Sequence, residues 1–284
     1  MGRDSKYTLL NDVDWLRERY TIEGKSTVEI ANIVRCSSPQ TVCQSLRKHG
    51  IHVRSKSEGH LVKRQGDGLI LDDTTLSIIT GCLLGDGFFS RNRGTGNPQF
   101  RKNNIYYDHQ LFVAKQLFGE KYKERISGPF ANDGGLSKNS KPLFHLRSLV
   151  HPELLYLYDL WYPESNEYKK IIPENIPLNS TVLLHWFLDD GYSYKAQRRY
   201  PNPKYNKEVT RCYFCTQSFR LEELSFLCER IKDIFCITMK PRFHQRHGIV
   251  AGTGYEIEIW ESCVKDFFDI IGPSPVNSLS YKWK

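Results

Sequence analysis

Two stretches of this chain carry a dense run of apolar positions. Leu76–Gly87 reads LSIITGCLLGDG and Thr181–Gly191 reads TVLLHWFLDDG. Each has helical length and is apolar all round, so each is expected to be a buried helix. Both end in an acid and a glycine, Asp86-Gly87 and Asp190-Gly191. A glycine directly after an apolar helix is expected to stop it by adopting the left-handed conformation. The acid then falls in the last turn, where the helix dipole already concentrates negative charge. Two such helices packed together would also set their acids against each other. A divalent cation relieves both conflicts, because hard cations take carboxylate and carbonyl oxygens. Gly81 and Gly85 would let the helices approach closely, but their counterparts His185 and Asp189 are larger, so the crossing must be asymmetric.

The pattern downstream of the two runs also repeats in order. FFSRNRGTGNPQFRKNN and YSYKAQRRYPNPKYNKEVTRCYFCTQ each place a Gly/Pro/Asn turn between extended segments, which predicts a β-ribbon. An amphipathic helix follows, Asp108–Gly119 in one copy and Leu221–Phe235 in the other. Two strands come next, around Ile126–Phe130 and Leu143–Arg147, then Ile237–His244 and Tyr255–Trp260. A final helix runs up to Pro163 and Pro273, and a lysine segment closes each copy, NEYKKIIP and VNSLSYKWK. The expected fold class is α+β, an αββαββα unit written twice over residues 74–173 and 174–284 with pseudo-twofold symmetry. Such symmetry suits a nucleic acid duplex, whose strands are also related by a twofold.

Residues 1–57 read as a separate all-α domain. Asp12–Tyr20 has helical apolar spacing, and Ser26 caps TVEIANIV with Glu29 as its capping-box partner. Ser38 caps PQTVCQSLRKHG, with Pro39 at the first helical position. The EIA of the second helix and the QTV of the third resemble a helix-turn-helix, although Arg35 stands where its turn usually carries glycine. That resemblance implies a third helix in the major groove with Gln40, Thr41, Gln44 and Arg47 outward. Residues 58–73 read as a linker. Arg54, Lys56, Lys63 and Arg64, in and beside it, either follow a phosphate backbone or merely solvate a tether.

The charge balance supports a polyanionic partner: the 284 residues carry a net charge of +8, and the pI is near 9.0. Aromatic residues make up 13%, which argues for a folded chain rather than a basic tail. The start, MGRDSKYTLL, lacks the apolar core of a signal peptide, and no run reaches membrane-span length, so an intracellular, soluble protein with no membrane partner is expected. Cys212 and Cys215 form a CxxC in a segment that reads as a strand, and they are expected to be reduced thiols.

ITGCLLGDG (Ile79–Gly87) and LLHWFLDDG (Leu183–Gly191) resemble the LAGLIDADG motif of homing endonucleases, in the two-repeat form that acts as a monomer; the resemblance covers roughly residues 74–284. It implies a site-specific, double-strand DNA endonuclease that needs two or more divalent ions, Mg²⁺ above all, cuts across the minor groove and leaves 3′ overhangs. Asp86 and Asp190 are expected to hold the metals, one acid per strand cut, with the carbonyls of Gly85 and Asp189 as extra ligands. The Asp189 side chain either adds charge there or is structural. The resemblance further implies an active-site lysine at the end of each repeat: Lys282 in the second, and in the first Lys170 by the family's KK-x-IP pattern or Lys169 by internal alignment. Asn104 and Gln217 form a third matched pair just before the amphipathic helices, where an amide can hold water. DNA contacts are expected from Arg91, Arg93, Arg101 and Lys102 in the first ribbon. Those in the second are Lys195, Arg198, Arg199, Lys204, Lys207 and Arg211. Family members also act as maturases on intron RNA, and others are regulators that bind DNA without cutting; both remain alternatives, and intron RNA a second candidate partner. An intein is not expected, because the chain has neither a splicing-type Cys or Ser start nor a His-Asn end.

Overall fold

The computed structural model describes residues 8–63, 68–91, 96–131, 141–199, 201–244 and 254–284. The chain divides into two compact units, residues 1–66 with 150–152, and residues 67–149 with 153–284.

The first unit is helical: α1 (Val13–Arg17), continued by a wider turn over Glu18–Ile22, then α2 (Thr27–Ile33), α3 (Pro39–Lys48) and α4 (Lys56–Lys63). The expected caps are present. The Ser26 hydroxyl accepts the Glu29 N–H at 3.2 Å while the Glu29 carboxylate accepts the Ser26 N–H at 2.8 Å. Ser38 caps α3 and Pro39 opens it. Leu16, Ile30, Val42 and Leu46 are fully buried and form the core with Leu10 and Tyr20. Arg35, between α2 and α3, has φ +57°, a conformation that glycine would adopt at less cost.

Helix α4 lies where a linker was expected. Its start carries a second capping box: the Glu58 N–H donates to Ser55 Oγ at 3.2 Å, and the Ser55 N–H donates to the Glu58 carboxylate at 2.6 Å. Arg54 is not available to a phosphate backbone, because its guanidinium lies 3.9 Å from the centre of the Tyr20 ring and donates to the Gly24 carbonyl at 3.1 Å. Arg64 lies outside the described residues.

The second unit contains the αββαββα unit twice. The first copy is α5 (Asp73–Leu84), β1 (Gly87–Ser90), β2 (Gln99–Asn104), α6 (Tyr107–Phe118), β3 (Ile126–Phe130), β4 (Leu143–Arg147) and α7 (Leu154–Trp161). The second is α8 (Ser180–Asp190), β5 (Gly191–Arg198), β6 (Lys207–Cys215), α9 (Leu221–Phe235), β7 (Met239–His244), β8 (Gly254–Ile259) and α10 (Val264–Ile271). A tight 3-10 turn over Asn277–Lys282 follows. The sheets are antiparallel with the same order, β1-β2-β4-β3 and β5-β6-β8-β7. One continuous apolar core joins both copies, with α5 and α8 at its centre. Trp186 stacks on Phe214 with ring centroids 3.9 Å apart, and Phe187 meets Phe214, Phe267, Phe268 and Trp283 edge to face.

The glycines of the motif act differently from expectation. Neither Gly87 nor Gly191 takes a positive φ. What excludes a side chain is space. A Cβ on Gly191 would stand 2.0 Å from the Phe187 ring, and one on Gly87 2.7 Å from the Cys82 carbonyl. Between the helices, a Cβ on Gly81 would stand 2.6 Å from the Val182 carbonyl and 2.7 Å from His185 Cβ. The small residues of α5 thus receive the large residues of α8, which accounts for the asymmetric crossing. Gly81→Ala is expected to cost about 1–3 kcal/mol by overpacking this contact. Arg35→Gly is expected to add about 1 kcal/mol by relieving the left-handed backbone. Urea denaturation of each variant, followed in the transition of its own unit, measures both.

Candidate active site

The site forms where α5 and α8 end. Helix α5 stops at Leu84, so Asp86 lies two residues beyond it and is exposed; α8 continues through Asp190, which is half-buried. Burial, then the negative charges of Asp86 and Asp189, push Asp190 well above the usual carboxylate range, against the opposing pull of Lys170 and Lys102.

The last carbonyls of a helix lack intrahelical partners, and here lysines supply them. Lys170 Nζ donates to the carbonyls of Leu83, Gly85 and Gly87 at 2.9, 3.0 and 3.2 Å. Lys282 Nζ donates to those of Leu188 and Asp189 at 2.8 and 2.9 Å, and of Phe187 at 3.4 Å. The two ammonium groups therefore occupy equivalent places, each brought by the closing segment of its own repeat. Burial lowers the pKa of both, and the surrounding acids resist the shift. Lys169 is exposed and pairs with Glu167, so Lys170 is the lysine at the helix end.

Asp189 turns inward. Its side chain is fully buried, Oδ1 is ion-paired with Lys102, and Oδ2 accepts the Asp86 N–H at 3.3 Å. Lys102, expected among the DNA contacts, is therefore a correction: it is fully buried because it faces the core side of β2. Burial works against its charge, but the Asp189 carboxylate more than compensates and holds the ammonium above its ordinary value. His109 Nε2 lies 3.6 Å from Asp189 Oδ1; burial and Lys102 hold His109 well below its ordinary pKa, so it is neutral.

Asn104 Nδ2 approaches Asp86 Oδ2 at 3.4 Å, whereas Gln217 Nε2 donates to Glu256 at 2.9 Å. The two amides are not equivalent. Gly87 pairs with Lys102 and Gly191 with Phe214, so counting two residues on makes Thr216, not Gln217, the counterpart of Asn104 in the second repeat. A one-residue offset reverses the face of a strand.

The ribbons differ in length: β1 and β2 pair from Gly87 to Ser90, β5 and β6 from Gly191 to Arg198. Lys195, Arg198, Arg199, Lys204 and Lys207 are exposed on the longer one. Arg198 and Lys207 share Glu261 at 2.9 and 2.8 Å, and Lys195 lies 3.8 Å from Glu208. Arg211 is half-buried and pairs with Glu258 at 3.0 Å. In the first repeat Arg101 sits directly across from Arg147, and Arg91 donates to the Gly96 carbonyl and lies 3.6 Å from Asp159. Arg93 lies outside the described residues. In the first unit Gln40, Gln44 and Arg47 are exposed on α3 and Thr41 is half-buried. Cys212 and Cys215 are free thiols three residues apart in β6, and so face opposite sides of the sheet.

The donor set fits a hard divalent cation. Asp86 and Asp190 are oxygen ligands of the right kind, and burial together with the neighbouring acids makes the charged form of Asp190 costly, a cost that a cation would relieve. The Gly85 and Asp189 carbonyls already accept from lysine, and each retains a second lone pair. Among the described residues no helix is long and apolar enough to cross a membrane.

The family model for the LAGLIDADG DNA endonuclease family matches residues 76–267. The chain belongs to the LAGLIDADG DNA endonuclease family. Uncharacterized protein MJ1098 of Methanocaldococcus jannaschii is 27% identical over 94% of this chain and 96% of its own length, so the likeness extends into the first unit. The homing endonuclease I-WcaI, solved bound to its DNA recognition sequence, superposes with a TM-score of 0.60 at 18% identity, covering 83% of this chain and 95% of that one; it shares the fold. The I-LtrWI LAGLIDADG homing endonuclease, bound to target DNA, gives a TM-score of 0.41 at 11% identity, covering 73% and 86%.

In this LAGLIDADG chain several residues at the site escaped the sequence reading. Glu256 and Glu258 alternate with isoleucines in YEIEIW, so both project from one face of β8. There they collect Tyr192, Gln217, Arg211 and Tyr213 as donors. The alternation itself was the signal. His185, buried on α8 and stacked on Phe112, is pushed by burial and Lys102 down to about 3; the sequence showed only its bulk opposite Gly81, not its neutral state.

Because the folded value of Asp190 is raised, the native state binds that proton more tightly than the unfolded chain does. The resulting stability is present below the ordinary carboxylate range and is lost as pH rises through the folded value. Asp190→Asn, neutral at every pH, is thus expected to stabilise the chelator-treated protein at pH 7, with the gain vanishing as pH falls into the ordinary carboxylate range. Thermal denaturation across pH in the presence of chelator measures this, and a divalent cation should stabilise the wild type more than the variant.

Proposed function

We propose that this chain is a site-specific, double-strand DNA endonuclease of the homing type, acting as a monomer on a long target. The reading is carried by one observation: two acids at the ends of packed motif helices, each helix end held by a lysine from its own repeat. Asp86 and Asp190 each serve the cut of one strand. Both would hold divalent cations, Mg²⁺ above all, which when bound activate water and stabilise charge on the phosphate. Lys170 and Lys282 keep the helix ends rigid and place positive charge where the scissile phosphates arrive. Asn104, beside Asp86, orients water there; Gln217, held by Glu256, is the amide the second repeat offers. Family likeness supports cutting across the minor groove with 3′ overhangs.

The ribbon cations bring the duplex onto the sheets, and the ion pairs with Glu208, Glu258 and Glu261 hold several of them extended. Helix α3 of the first unit, a helix-turn-helix reading helix in this proposal, adds contacts through Gln40, Thr41, Gln44 and Arg47. Gln44→Ala with Arg47→Ala is expected to weaken binding and to flatten its salt dependence by about one unit of slope. It should leave the cutting rate at saturation unchanged.

Cleavage of a randomised DNA library with and without Mg²⁺ tests the main claim. Metal-dependent double-strand cuts at one long site are expected. Asp86→Asn and Asp190→Asn should each lower double-strand cutting by about a hundredfold or more and leave nicks. Tight binding with no cut under any divalent cation overturns the proposal, and intron RNA is then the substrate to test.

A further inference from the structure

The two halves of the site are supported differently. In the second repeat Asp190 is the last residue of α8, so its backbone is held by its own helix. In the first, α5 stops at Leu84, and the Asp86 N–H finds its acceptor on the other repeat, at Asp189 Oδ2, 3.3 Å away. The converse contact does not exist, because the counterpart of Asp189 is Gly85. A Cβ on Gly85 would stand 2.4 Å from Asp189 Cβ, so the glycine provides the room that Asp189 fills.

Lys102 completes the device. It faces Gly87, the residue after Asp86, in the β1–β2 ladder, and holds the other oxygen of Asp189. The second repeat shows what this position needs for packing alone. There Phe214 faces Gly191 and stacks on Trp186, whose own counterpart in the first repeat is Cys82. An aromatic pair thus fills one repeat, while the other combines a small thiol with a buried ion pair. Burying two charges carries a desolvation cost that apolar packing does not. An ion pair where the twin repeat uses a stack therefore calls for a role other than cohesion.

We propose that Asp189, clamped by Lys102, is a positioning residue for Asp86, so that the second motif helix sets the acid of the first repeat and only one of the two strand cuts depends on this ion pair. The inference rests on the endonuclease reading above, in which Asp86 and Asp190 serve different strands. It adds that the cuts are separable without touching either acid or either lysine at the helix ends.

The variant that tests it replaces the pair by apolar side chains, Lys102→Met with Asp189→Leu, imitating the second repeat and leaving no unpaired buried charge. Asp189→Asn, which retains an acceptor for the Asp86 N–H, is the conservative comparison. On supercoiled plasmid carrying the target, wild type should yield linear product. The double variant should accumulate nicked circles, with cutting slowed about tenfold or more on one labelled strand. That strand should be the one that the Asp86→Asn variant fails to cut, and Asp189→Asn should show a smaller loss. A second readout needs no cleavage: hydrogen exchange at the Asp86 amide should accelerate about tenfold or more in the double variant, with the amides of α5 unchanged. Equal slowing of both strands, or unchanged exchange at Asp86, overturns the proposal. If wild type cuts no DNA at all, the endonuclease reading fails, and the Asp86 exchange result alone decides whether Asp189 positions that residue.

Discussion

The close packing of two helices, made possible because Gly81 and Gly85 on one leave room for His185 and Asp189 on the other, is the constraint on which the second unit depends. Backbone-to-backbone approach at this crossing brings two helix ends together, and with them two sets of unpaired carbonyls and the acids Asp86, Asp189 and Asp190. All of these carry negative charge or partial charge, so the arrangement is unfavourable until cations join it. The chain supplies three of its own: Lys170 and Lys282 on the carbonyls, and Lys102 on Asp189. The acids at 86 and 190 remain, and their surplus charge is what a divalent cation would take up. Structural necessity and chemical capacity therefore share one cause, because the contact that builds the core also creates the electrostatic demand at its edge.

Duplication explains the architecture, and divergence explains the differences within it. The two sheets have one strand order and the two closing lysines one position. Around them, packing has been solved twice. The second repeat fills its interior with Trp186, Phe187 and Phe214, while the first places Cys82, Lys102 and His109 there and leaves room for Asp189. The sheets diverge in the same way. Glu256 and Glu258 neutralise and orient donors in the second, whereas Arg101 and Arg147 stand opposite each other in the first. A duplex bound by these faces would meet unlike surfaces on its two halves, as an asymmetric target requires.

Much of this was legible along the chain because the signals were local or repeated. Capping boxes, the prolines after α7 and α10, and the alternating strands all act within a few residues, and the second copy confirmed the first. The capping box at Ser55 and Glu58 shows the same rule neglected: the stretch is charged and contains glycine, and so reads as a linker. The failures have a different origin. Lys102 looks like any other cation in a basic ribbon, and only its strand face makes it internal. The Asn104 and Gln217 pairing followed sequence proximity to the next helix, whereas the ladder register sets them one residue apart.

By itself the sequence determined the duplicated αββαββα plan, the burial of the motif runs and the acids at their ends, since periodicity, capping and repetition depend only on neighbours along the chain. Tertiary structure alone decided what each polar group inside that plan faces. It turned Gly87 and Gly191 from conformational stops into points of close packing, and chose Lys170 over Lys169. It also sent Asp189 and Lys102 inward to each other across the two repeats. Those outcomes depend on distances between atoms far apart in the chain, and a buried charge reveals its purpose only when its partner is known.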